Sequence, residues 1–593
     1  MKNLRREPSS RTFVENLRRE PPPRTVGTSQ APYPRSAAKY RNQTGLYRDS
    51  KSRWLVRIPD TMWMIITRLA GAVGFLLAAV LAADRAWVAA ERQSFDVIVR
   101  GGRLIDGTGA QARDADLGIS AGKIAAVGSL HDAAARTTID ARGLVIAPGF
   151  IDVHTHADEI TDHPLAEHFV RMGVTTVVAG NCGGSAEDIG LALAAIEKTG
   201  ISINYASLVG HNTVRRAVMG TERRGPTPAE LEKMQALVAK AMAEGAVGFS
   251  TGLQYVPGTY AEQSEIVALA TTAAKSGGLY ATHMRNEGTE IESAVREALA
   301  VGEAAQCPVE ISHLKVDAPS RWGASAKALA MMDQARAKGM KVNADVYLYD
   351  AASSSLGIRF PSWVLEGGDD QIKERLDDAT TWARIKEEMK KLIRERGLEN
   401  YTFARVASYR ADPSMNGLTI PEVAQKLVGA DDLEAQLEAM RRMLRAGGAS
   451  MVYQFMTEDD IEPILRHPYV SIASDSGLNV VGQGVPHPRG YGNAVRALGR
   501  YVRERKTIPL EEAIRKMTSL PADHFGFRDR GRLAVGLAAD VVIFDAARIT
   551  DRATYEQPHQ YPEGIASVLV NGVVVVQGGD HTKARPGQVL RRR

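Results

Sequence analysis

The stretch LYATHM (279–284), IESAVREALAVGEAAQ (291–306) and VEISHL (309–314) decides the fold of this chain. Two short apolar runs flank a segment in which apolar residues recur with helical spacing, which predicts a strand, a helix and a second strand. The same alternation recurs along the middle of the chain, over about 330 residues. Regular alternation of this kind is typical of a parallel barrel, so we predict an α/β protein with a (β/α)8 TIM-like barrel over residues 151–525.

Both ends of the folded region carry a different pattern, in which short apolar runs alternate with glycine turns. Examples are FDVIVRGGRLIDGTG (95–109) and GIASVLVNGVVVVQGG (564–579). Such runs predict strands, and we expect residues 95–150 and 526–590 to form one small β-sandwich domain built from both ends of the chain. Residues 362–450 are charged and helical in pattern, which predicts an insertion or peripheral helices rather than a site.

Four histidines stand at the ends of predicted barrel strands. GFIDVHTH (149–156) ends in His154 and His156, and the alternation of a strand directs residues i and i+2 to the same face. His283 and His313 each end an apolar run and are separated by one strand–helix unit. The carboxyl ends of barrel strands meet at one mouth, and convergent imidazoles suit a divalent transition metal.

A cysteine and an aspartate complete the candidate site. Cys182 follows a strand in GNCGG, where the glycines leave room for close approach, and a thiolate is a strong zinc ligand. Asp475 follows the late strand of VSIASDSG, where a carboxylate beside a metal-activated water can carry its proton. In isolation the two residues would be interpreted as an inert cysteine and a turn cap. Their roles as metal ligand and proton carrier are therefore inferred only because the four histidines lie beside them.

These motifs carry a family resemblance. The His-x-His pair, the two spaced histidines and the late aspartate resemble the amidohydrolase superfamily. Within it, GNCGG, THMRNE, SHLKV and HPRGYG resemble the D-aminoacylase (N-acyl-D-amino-acid deacylase) family, and the similarity continues through GLAADVVIFD and YEQPHQYPEGIASVLVNG to cover roughly residues 95–590.

The resemblance implies a zinc site with a defined division of roles. Cys182, His283 and His313 would hold one tightly bound Zn²⁺. His154 and His156 would form a second, weaker position bridged by Cys182, where many relatives in the superfamily use a carboxylated lysine. Asp475 matches the general acid and base of the family.

Three further residues match positions where the family holds the substrate's carboxylate, namely Lys315, Tyr255 and Tyr347. An ammonium and phenolic hydroxyls are suitable donors to a carboxylate, although barrel packing is an alternative role for both tyrosines. The chain departs from the family after HPRGYG, where NAVRA stands in place of an expected aromatic residue and proline. We therefore expect the site wall near Asn493–Arg496 to differ and the specificity to have shifted.

The resemblance implies an enzyme that cleaves the amide bond of a small N-acyl amino acid, of the N-acyl-D-amino acid deacylase type. Zinc would polarise the carbonyl and lower the pKa of water, and Asp475 would carry the proton to the leaving amine. The alternatives are a cyclic-amide, dipeptide or N-acyl-L-amino acid hydrolase of the same superfamily. A non-catalytic scaffold is less expected, because all five ligand positions and Asp475 are present.

The N-terminal region is basic and lies outside the resemblance. Residues 1–63 carry 14 Lys and Arg against 5 Asp and Glu, whereas the net charge of the whole chain is only +5. The excess lies in a Pro/Arg-rich tail with a direct repeat and without apolar periodicity, which predicts disorder or an over-extended start. Because no basic helix or stacking aromatic pattern follows, we expect no nucleic-acid partner. Two cysteines exclude a disulfide framework.

Residues 64–90 have the order of a secretory signal peptide. Arg68 precedes the uncharged run Leu69–Ala83, and small residues follow at Val88–Ala90. The run is shorter than the ~20 residues that span a bilayer. We therefore predict cleavage near Ala90, a periplasmic or secreted protein and no stable membrane association, with an uncleaved membrane anchor as the alternative. The sequence leaves the oligomeric state open.

Overall fold

The computed structural model describes Met62 and residues 94–592. The predicted signal peptide, and the predicted tail apart from Met62, lie outside these residues. Among the described residues, no helix is both long and apolar enough to cross a membrane.

The described chain begins with five strands that contribute to one sheet together with the last four strands of the chain. Their bounds are β1 Ser94–Leu104, β2 Arg113–Ser120, β3 Lys123–Gly128, β4 Ala134–Asp140 and β5 Val145–Pro148. Pairing between β1 and β2 is antiparallel, whereas β4 and β5 both run parallel to β1.

A barrel of parallel strands and surrounding helices follows. Its first part comprises β6 Phe150–Asp152, β7 Thr155–His156, α1 Glu167–Arg171, β8 Val174–Ala179, α2 Ile189–Thr199, β9 Asn204–Ser207, β10 Val209–Gly210, α3 His211–Met219, α4 Pro228–Glu244, β11 Gly248–Gly252, α5 Gln263–Lys275, β12 Leu279–His283, α6 Ile291–Ala305, β13 Val309–Ile311, α7 Ser325–Ala337 and β14 Val342–Val346. Every residue of β12, β13 and β14 is buried, as expected for parallel strands covered on both faces. On α6 the buried positions recur with a spacing of three and four residues and pack on the barrel.

An excursion then leaves the barrel before its last strand. It contains β15 Ala351–Ser355, α8 Asp369–Asp377, α9 Ala379–Glu395, β16 Ala404–Ser408, α10 Ile420–Val428, α11 Leu433–Arg445, β17 Ser450–Gln454 and α12 Glu458–Arg466. Strands β15, β17 and β16 form a separate antiparallel sheet with β17 in the middle. The helical pattern of 362–450 predicts the helices but not β16, because this strand is only five residues long between charged helices.

The remaining elements close the barrel and complete the first sheet. They are β18 Val470–Ile472, β19 Ser476–Gly477, α13 Arg489–Arg496, a π-helix at Ala497–Glu504, α14 Leu510–Met517, α15 Ser519–Phe525, β20 Val541–Phe544, β21 Ile565–Val570, β22 Val573–Gln577 and β23 Asp580–His581. Strand β18 pairs with β14, while β19 pairs with β7 at the start of the barrel. Strand β20 pairs with β5, which joins the two chain ends in the nine-stranded sheet.

The barrel closes around buried polar groups as well as apolar side chains. The Asp152 carboxylate accepts a hydrogen bond from Ser474 N at 3.0 Å, and Asp475 N donates to His154 O at 2.9 Å. The domain of the chain ends has its own apolar core, to which Val99, Ile119 and Ile543 belong. The structure and its relatives described below confirm the predicted fold class, a barrel with a small β domain built from both ends of the chain.

Candidate metal centre

The barrel mouth gathers the predicted ligands from the ends of its strands. The ligands follow or end β6, β7, β8, β12 and β13, and Asp475 follows β18. The predicted ligands are His154, His156, Cys182, His283 and His313. Parallel strands bring these ends to one edge although the residues lie far apart in sequence.

The Cys182 sulfur lies at the centre of the group. Its Sγ is 3.3 Å from His154 Nε2, 3.5 Å from His313 Nε2 and 3.8 Å from His283 Nδ1. Ligand bonds of about 2.0–2.3 Å to a tetrahedral zinc place neighbouring ligand atoms ~3.3–3.8 Å apart. Thiolate and imidazole are the donors that zinc prefers, and this arrangement therefore fits the ion.

A second group of donors adjoins the first. His156 Nε2 lies 3.1 Å from Asp475 Oδ1, and His154 Nε2 lies 3.5 Å from the same oxygen. The His156 side chain is 40% exposed, whereas His154 and Asp475 are buried. A second metal held by His154, His156 and Cys182 would thus be open toward the cavity. A metal held by Cys182, His283 and His313 would be enclosed, because these three side chains are buried.

Three residues of the centre have left-handed backbone conformations. The φ angles are 53° at Cys182, 37° at His313 and 51° at Asp475. This conformation is costly for residues with a Cβ, and such strain is concentrated at functional sites. Each of the three residues lies two or three positions after the end of a strand, at the mouth of the barrel.

Charge complementarity sets the protonation of the two key acids. Burial opposes ionisation of Cys182, but His154 and His313 hold the pKa of its thiol well below the ordinary value. Burial likewise opposes ionisation of Asp475, but the Arg489 guanidinium, 2.9 Å from Asp475 Oδ2, holds the pKa of this carboxyl well below its usual range. A thiolate and a carboxylate are the forms required of a metal ligand and a proton acceptor.

Carboxylates outside the predicted set of residues support the ligands. Glu287 Oε1 is 2.9 Å from His313 Nδ1, and the other carboxylate oxygen is 3.5 Å from His283 Nε2. The Asp345 carboxylate lies 3.3 Å from His154 Nδ1 and accepts a hydrogen bond from His313 N at 2.9 Å. Carboxylates of this kind fix the orientation and tautomer of metal-binding histidines.

Sequence signals for these supporting residues exist but are weak. Glu287 belongs to the THMRNE motif, four residues after His283, and Arg489 belongs to HPRGYG. Asp345 is a lone acid inside the apolar strand β14. A buried acid in a strand signals a partner, but the sequence does not indicate which residue that partner is.

The three predicted substrate-binding residues occupy different environments. Tyr255 Oη is 3.4 Å from His283 Nδ1 and 3.3 Å from Ser354 Oγ, and the ring lines the cavity at the metal centre. Lys315 lines a smaller adjoining cavity, and its Nζ donates to Glu287 Oε1 at 2.7 Å. Tyr347 does not line either of these two cavities.

Tyr347 instead lies beneath the cavity wall. The Arg489 guanidinium is 4.4 Å above the centre of its ring, and its hydroxyl donates to the Met456 sulfur at 3.6 Å. The environment of Tyr347 therefore favours the alternative role in packing, with the ring supporting Arg489.

The predicted change of the site wall at Asn493–Arg496 is wrong in its location. The Asn493 amide accepts from Leu348 N at 2.8 Å and donates to Ala473 O at 2.7 Å. Arg496 pairs with Asp551 at 3.0 Å. Within residues 94–592, these side chains pack behind the barrel strands and do not line the cavity at the metal centre.

Two cavities meet at the centre and share Tyr255, Ser353, Ser354 and Asp475. The larger has a volume of about 610 Å³ and opens to solvent past His156, whereas the smaller has about 20 Å³ and lies beside Lys315. This smaller space is large enough for a single polar group.

Arg359 lines the smaller cavity and is 6% exposed. Its guanidinium lies 4.3 Å from the centre of the Tyr453 ring and 5.2 Å from that of Phe455. Among residues 94–592 it forms no ion pair, although two other cations in the neighbourhood, Lys315 and Arg489, each face a carboxylate. A buried guanidinium without a carboxylate partner is complementary to an anionic ligand.

Comparisons with known proteins agree on one family. The model of the family described as "Amidohydrolase family" matches residues 137–576. The N-acyl-D-glutamate deacylase of Alcaligenes xylosoxydans xylosoxydans is 38% identical over 524 residues, which cover 84% of this chain and 97% of that protein.

Solved structures agree with the sequence comparisons. The crystal structure of N-acyl-D-glutamate deacylase from Bordetella bronchiseptica, complexed with zinc and a phosphonate mimic of the tetrahedral intermediate, is 37% identical with a TM-score of 0.73. A D-aminoacylase structure concerned with its binuclear metal centre, with one-metal activation and second-metal attenuation, is 34% identical with a TM-score of 0.73. Each alignment covers 84% of this chain and 100% of the relative.

Proposed function

The chain belongs to the amidohydrolase family, and on this basis we propose that it is a zinc-dependent deacylase of N-acyl-D-amino acids with a preference for acidic side chains. The observation that carries the proposal is the position of Cys182 between three histidines at the barrel mouth, beside an ionised and arginine-paired Asp475. The reaction class is hydrolysis of a linear amide bond, as in the deacylases to which the chain is similar.

Zinc is the cofactor that these donors fit. Cys182, His283 and His313 would hold the enclosed ion, and His154, His156 and Cys182 would hold a second, weaker ion. A zinc ion bound there supplies Lewis-acid chemistry, in which it polarises the scissile carbonyl and lowers the pKa of the attacking water. The supporting carboxylates of Glu287 and Asp345 orient the histidine ligands.

Asp475 carries the proton in this mechanism. Its Oδ1 faces His154 and His156, and its Oδ2 is held by Arg489 at 2.9 Å. Since Arg489 keeps the carboxyl ionised, Oδ1 is free to accept a proton from the attacking water. The same oxygen then returns that proton to the nitrogen of the leaving amine as the carbon–nitrogen bond breaks.

The smaller cavity supports the choice of substrate. The α-carboxylate would lie where the two cavities meet, with the Tyr255 hydroxyl and Lys315 as its donors, and the smaller cavity would hold only the side-chain carboxylate, facing the unpaired Arg359 guanidinium. The relative from Alcaligenes is a deacylase of an N-acylated D-glutamate. Both observations favour a dicarboxylic D-amino acid as the preferred amino-acid half.

A substrate panel tests this proposal. We expect the zinc-loaded protein to hydrolyse N-acetyl-D-glutamate with a kcat/KM at least about tenfold above those of N-acetyl-D-glutamine and of N-acetyl-L-glutamate, because the uncharged amide leaves Arg359 without its partner. In Arg359→Gln the preference for glutamate over glutamine should disappear. Hydrolysis of L-substrates or cyclic amides, without hydrolysis of any D-substrate, would contradict the proposed reaction.

We further propose that the protein is exported and works in the periplasm or outside the cell, without stable membrane association. The support is the order of charged, apolar and small residues at 64–90. Expression of the full chain should give a soluble exported product whose N-terminus lies near Ala90, measured by fractionation and N-terminal sequencing. An intact N-terminus in the membrane fraction would instead support the uncleaved anchor.

A further inference from the structure

The larger cavity at the metal centre continues into a second, open groove. The groove has a volume of about 930 Å³ and shares Val256, Ser408 and Ser450 with the cavity. Pockets that bind drug-sized ligands measure roughly 300–1,000 Å³. The cavity alone therefore has the size of a pocket for a drug-sized ligand, and the groove extends it past Val256, Ser408 and Ser450, on the side away from Lys315.

The wall between the two spaces is the end of the small sheet formed by β15, β17 and β16. Ser355 of β15 pairs with Ser450 of β17, and Ser450 pairs with Ser408 of β16. Three serines thus form one row across the sheet, which we name the serine row. Among the described residues, none of the three hydroxyls hydrogen-bonds to another protein group, so each can donate to and accept from a ligand.

The groove beyond the serine row has a mixed lining, with apolar residues such as Leu356 and Ile372 beside charged residues such as Lys373 and Arg410. Arg410 lines it and forms no ion pair with any residue in the range 94–592. Lys373 lies 3.7 Å from Asp370, an exposed pair that contributes little, and Arg445 is paired with Asp377. The groove therefore suits a peptide, which carries both polar and apolar groups, better than a purely apolar chain.

The position of the two cavities assigns the halves of the substrate. In the proposed function, the amino-acid half directs its side-chain carboxylate into the small cavity beside Lys315 and Arg359, and this cavity has room for nothing more. The acyl half then lies on the other side of Asp475, in the large cavity. From there the continuous space leads over the serine row.

From this arrangement we propose that the natural acyl group is an extended peptide that crosses the serine row, so that the enzyme removes a D-amino acid from the C-terminal end of a peptide. The inference rests on the proposed function and specifies its acyl half. Water adds to the carbonyl carbon of the last peptide bond, and the carbon–nitrogen bond breaks. The products are the shortened peptide carboxylate and the free D-amino acid, whose nitrogen receives the proton from Asp475.

Extension of the acyl group tests the inference. We compare N-acetyl-D-glutamate with the acetylated dipeptide, tripeptide and tetrapeptide that end in D-glutamate and otherwise contain L-alanine. In the zinc-loaded wild type we expect kcat/KM to rise at least tenfold from the acetyl compound to the longer peptides. Equal or falling values along the series would overturn the inference, whereas failure to hydrolyse even the acetyl compound would overturn the proposed function.

Two variants locate the extended acyl group. Ser355→Trp, at the end of the serine row that lines the groove but not the cavity at the metal centre, should lower kcat/KM for the peptide substrates to that of the acetyl compound, with hydrolysis of the acetyl compound unchanged. Ser129→Trp, at an exposed serine of the β domain, should leave kcat/KM unchanged for the whole series.

Arg410→Glu should lower kcat/KM for a peptide with an internal L-glutamate more than for one with L-glutamine. An equal fall in kcat/KM for all substrates would contradict the assignment. So would a kcat/KM that rises when the amino-acid side chain is lengthened but not when the acyl group is.

Discussion

Replacement of Asp475 by asparagine should reduce kcat by about 10²–10⁴, the range that a positioned general acid and base contributes. The amide keeps the shape of the side chain but neither accepts the proton of the attacking water nor returns one to the leaving amine. Steady-state kinetics with N-acetyl-D-glutamate measure the loss. The zinc held by Cys182, His283 and His313 should remain near the wild-type content, because Asp475 lies on the side of the weaker position.

The Asp475 variant also leaves the Arg489 guanidinium buried without its carboxylate. Removal of one partner from a buried pair destabilises a protein by ~3–5 kcal/mol, so the kinetics must be measured well below the unfolding temperature of the variant. Asp158→Asn is the matched control, since Asp158 lies two residues after His156, accepts from Gly180 N at 3.2 Å and, within residues 94–592, forms no hydrogen bond or ion pair with a predicted ligand. Activity in Asp475→Asn equal to that of Asp158→Asn would contradict the proposed role.

The residues that could be predicted from the sequence are those that follow buried strands. His283 and His313 each end an apolar run, and the parallel topology brings such ends to one mouth whatever their separation along the chain. His154 and His156 are related by the two-residue period of a strand. Local patterns and the barrel topology together therefore predict that these side chains converge. In the structure, ring nitrogens of His154, His283 and His313 surround the Cys182 sulfur, and His156 contacts Asp475.

The support of the site could not be predicted in the same way, because it depends on contacts between distant residues and on backbone angles. Asp345 reaches His154 across 191 residues of sequence, and Arg489 reaches Asp475 from the first turn of a helix. The left-handed conformation at Asp475 has no sequence signature, since non-glycine residues rarely adopt it.

Tyr347 shows why position in a motif does not determine orientation. It follows β14 two residues after Asp345, so strand alternation places both on the same face, and the resemblance to the family suggests contact with a substrate. In the structure the Arg489 side chain covers its ring at 4.4 Å. The cation that covers Tyr347 comes from a helix more than a hundred residues later, and no local pattern in the sequence indicates this contact.

Replacement of Cys182 by alanine should remove most of the bound zinc. The sulfur lies within 3.8 Å of three histidine nitrogens, and its thiol pKa is held well below the ordinary value by His154 and His313, so a strong anionic ligand is lost at neutral pH. Changes in the partners of metal ligands already cost about 10–100-fold in affinity, and loss of a ligand itself should weaken zinc binding by at least about 100-fold. Elemental analysis after dialysis against a competing chelator measures the loss.

The second cysteine provides the matched control for this experiment. Cys307 is buried among apolar residues, so Cys307→Ala removes an equal thiol without touching the barrel mouth and should keep its zinc. Cys182→Ser distinguishes loss of the zinc ligand from loss of side-chain volume, because its hydroxyl is of similar size but is a far weaker ligand than a thiolate. If Cys182→Ala and Cys307→Ala retain the same zinc content, the sulfur is not a ligand. In that case Cys182 contributes to neither of the two proposed metal positions.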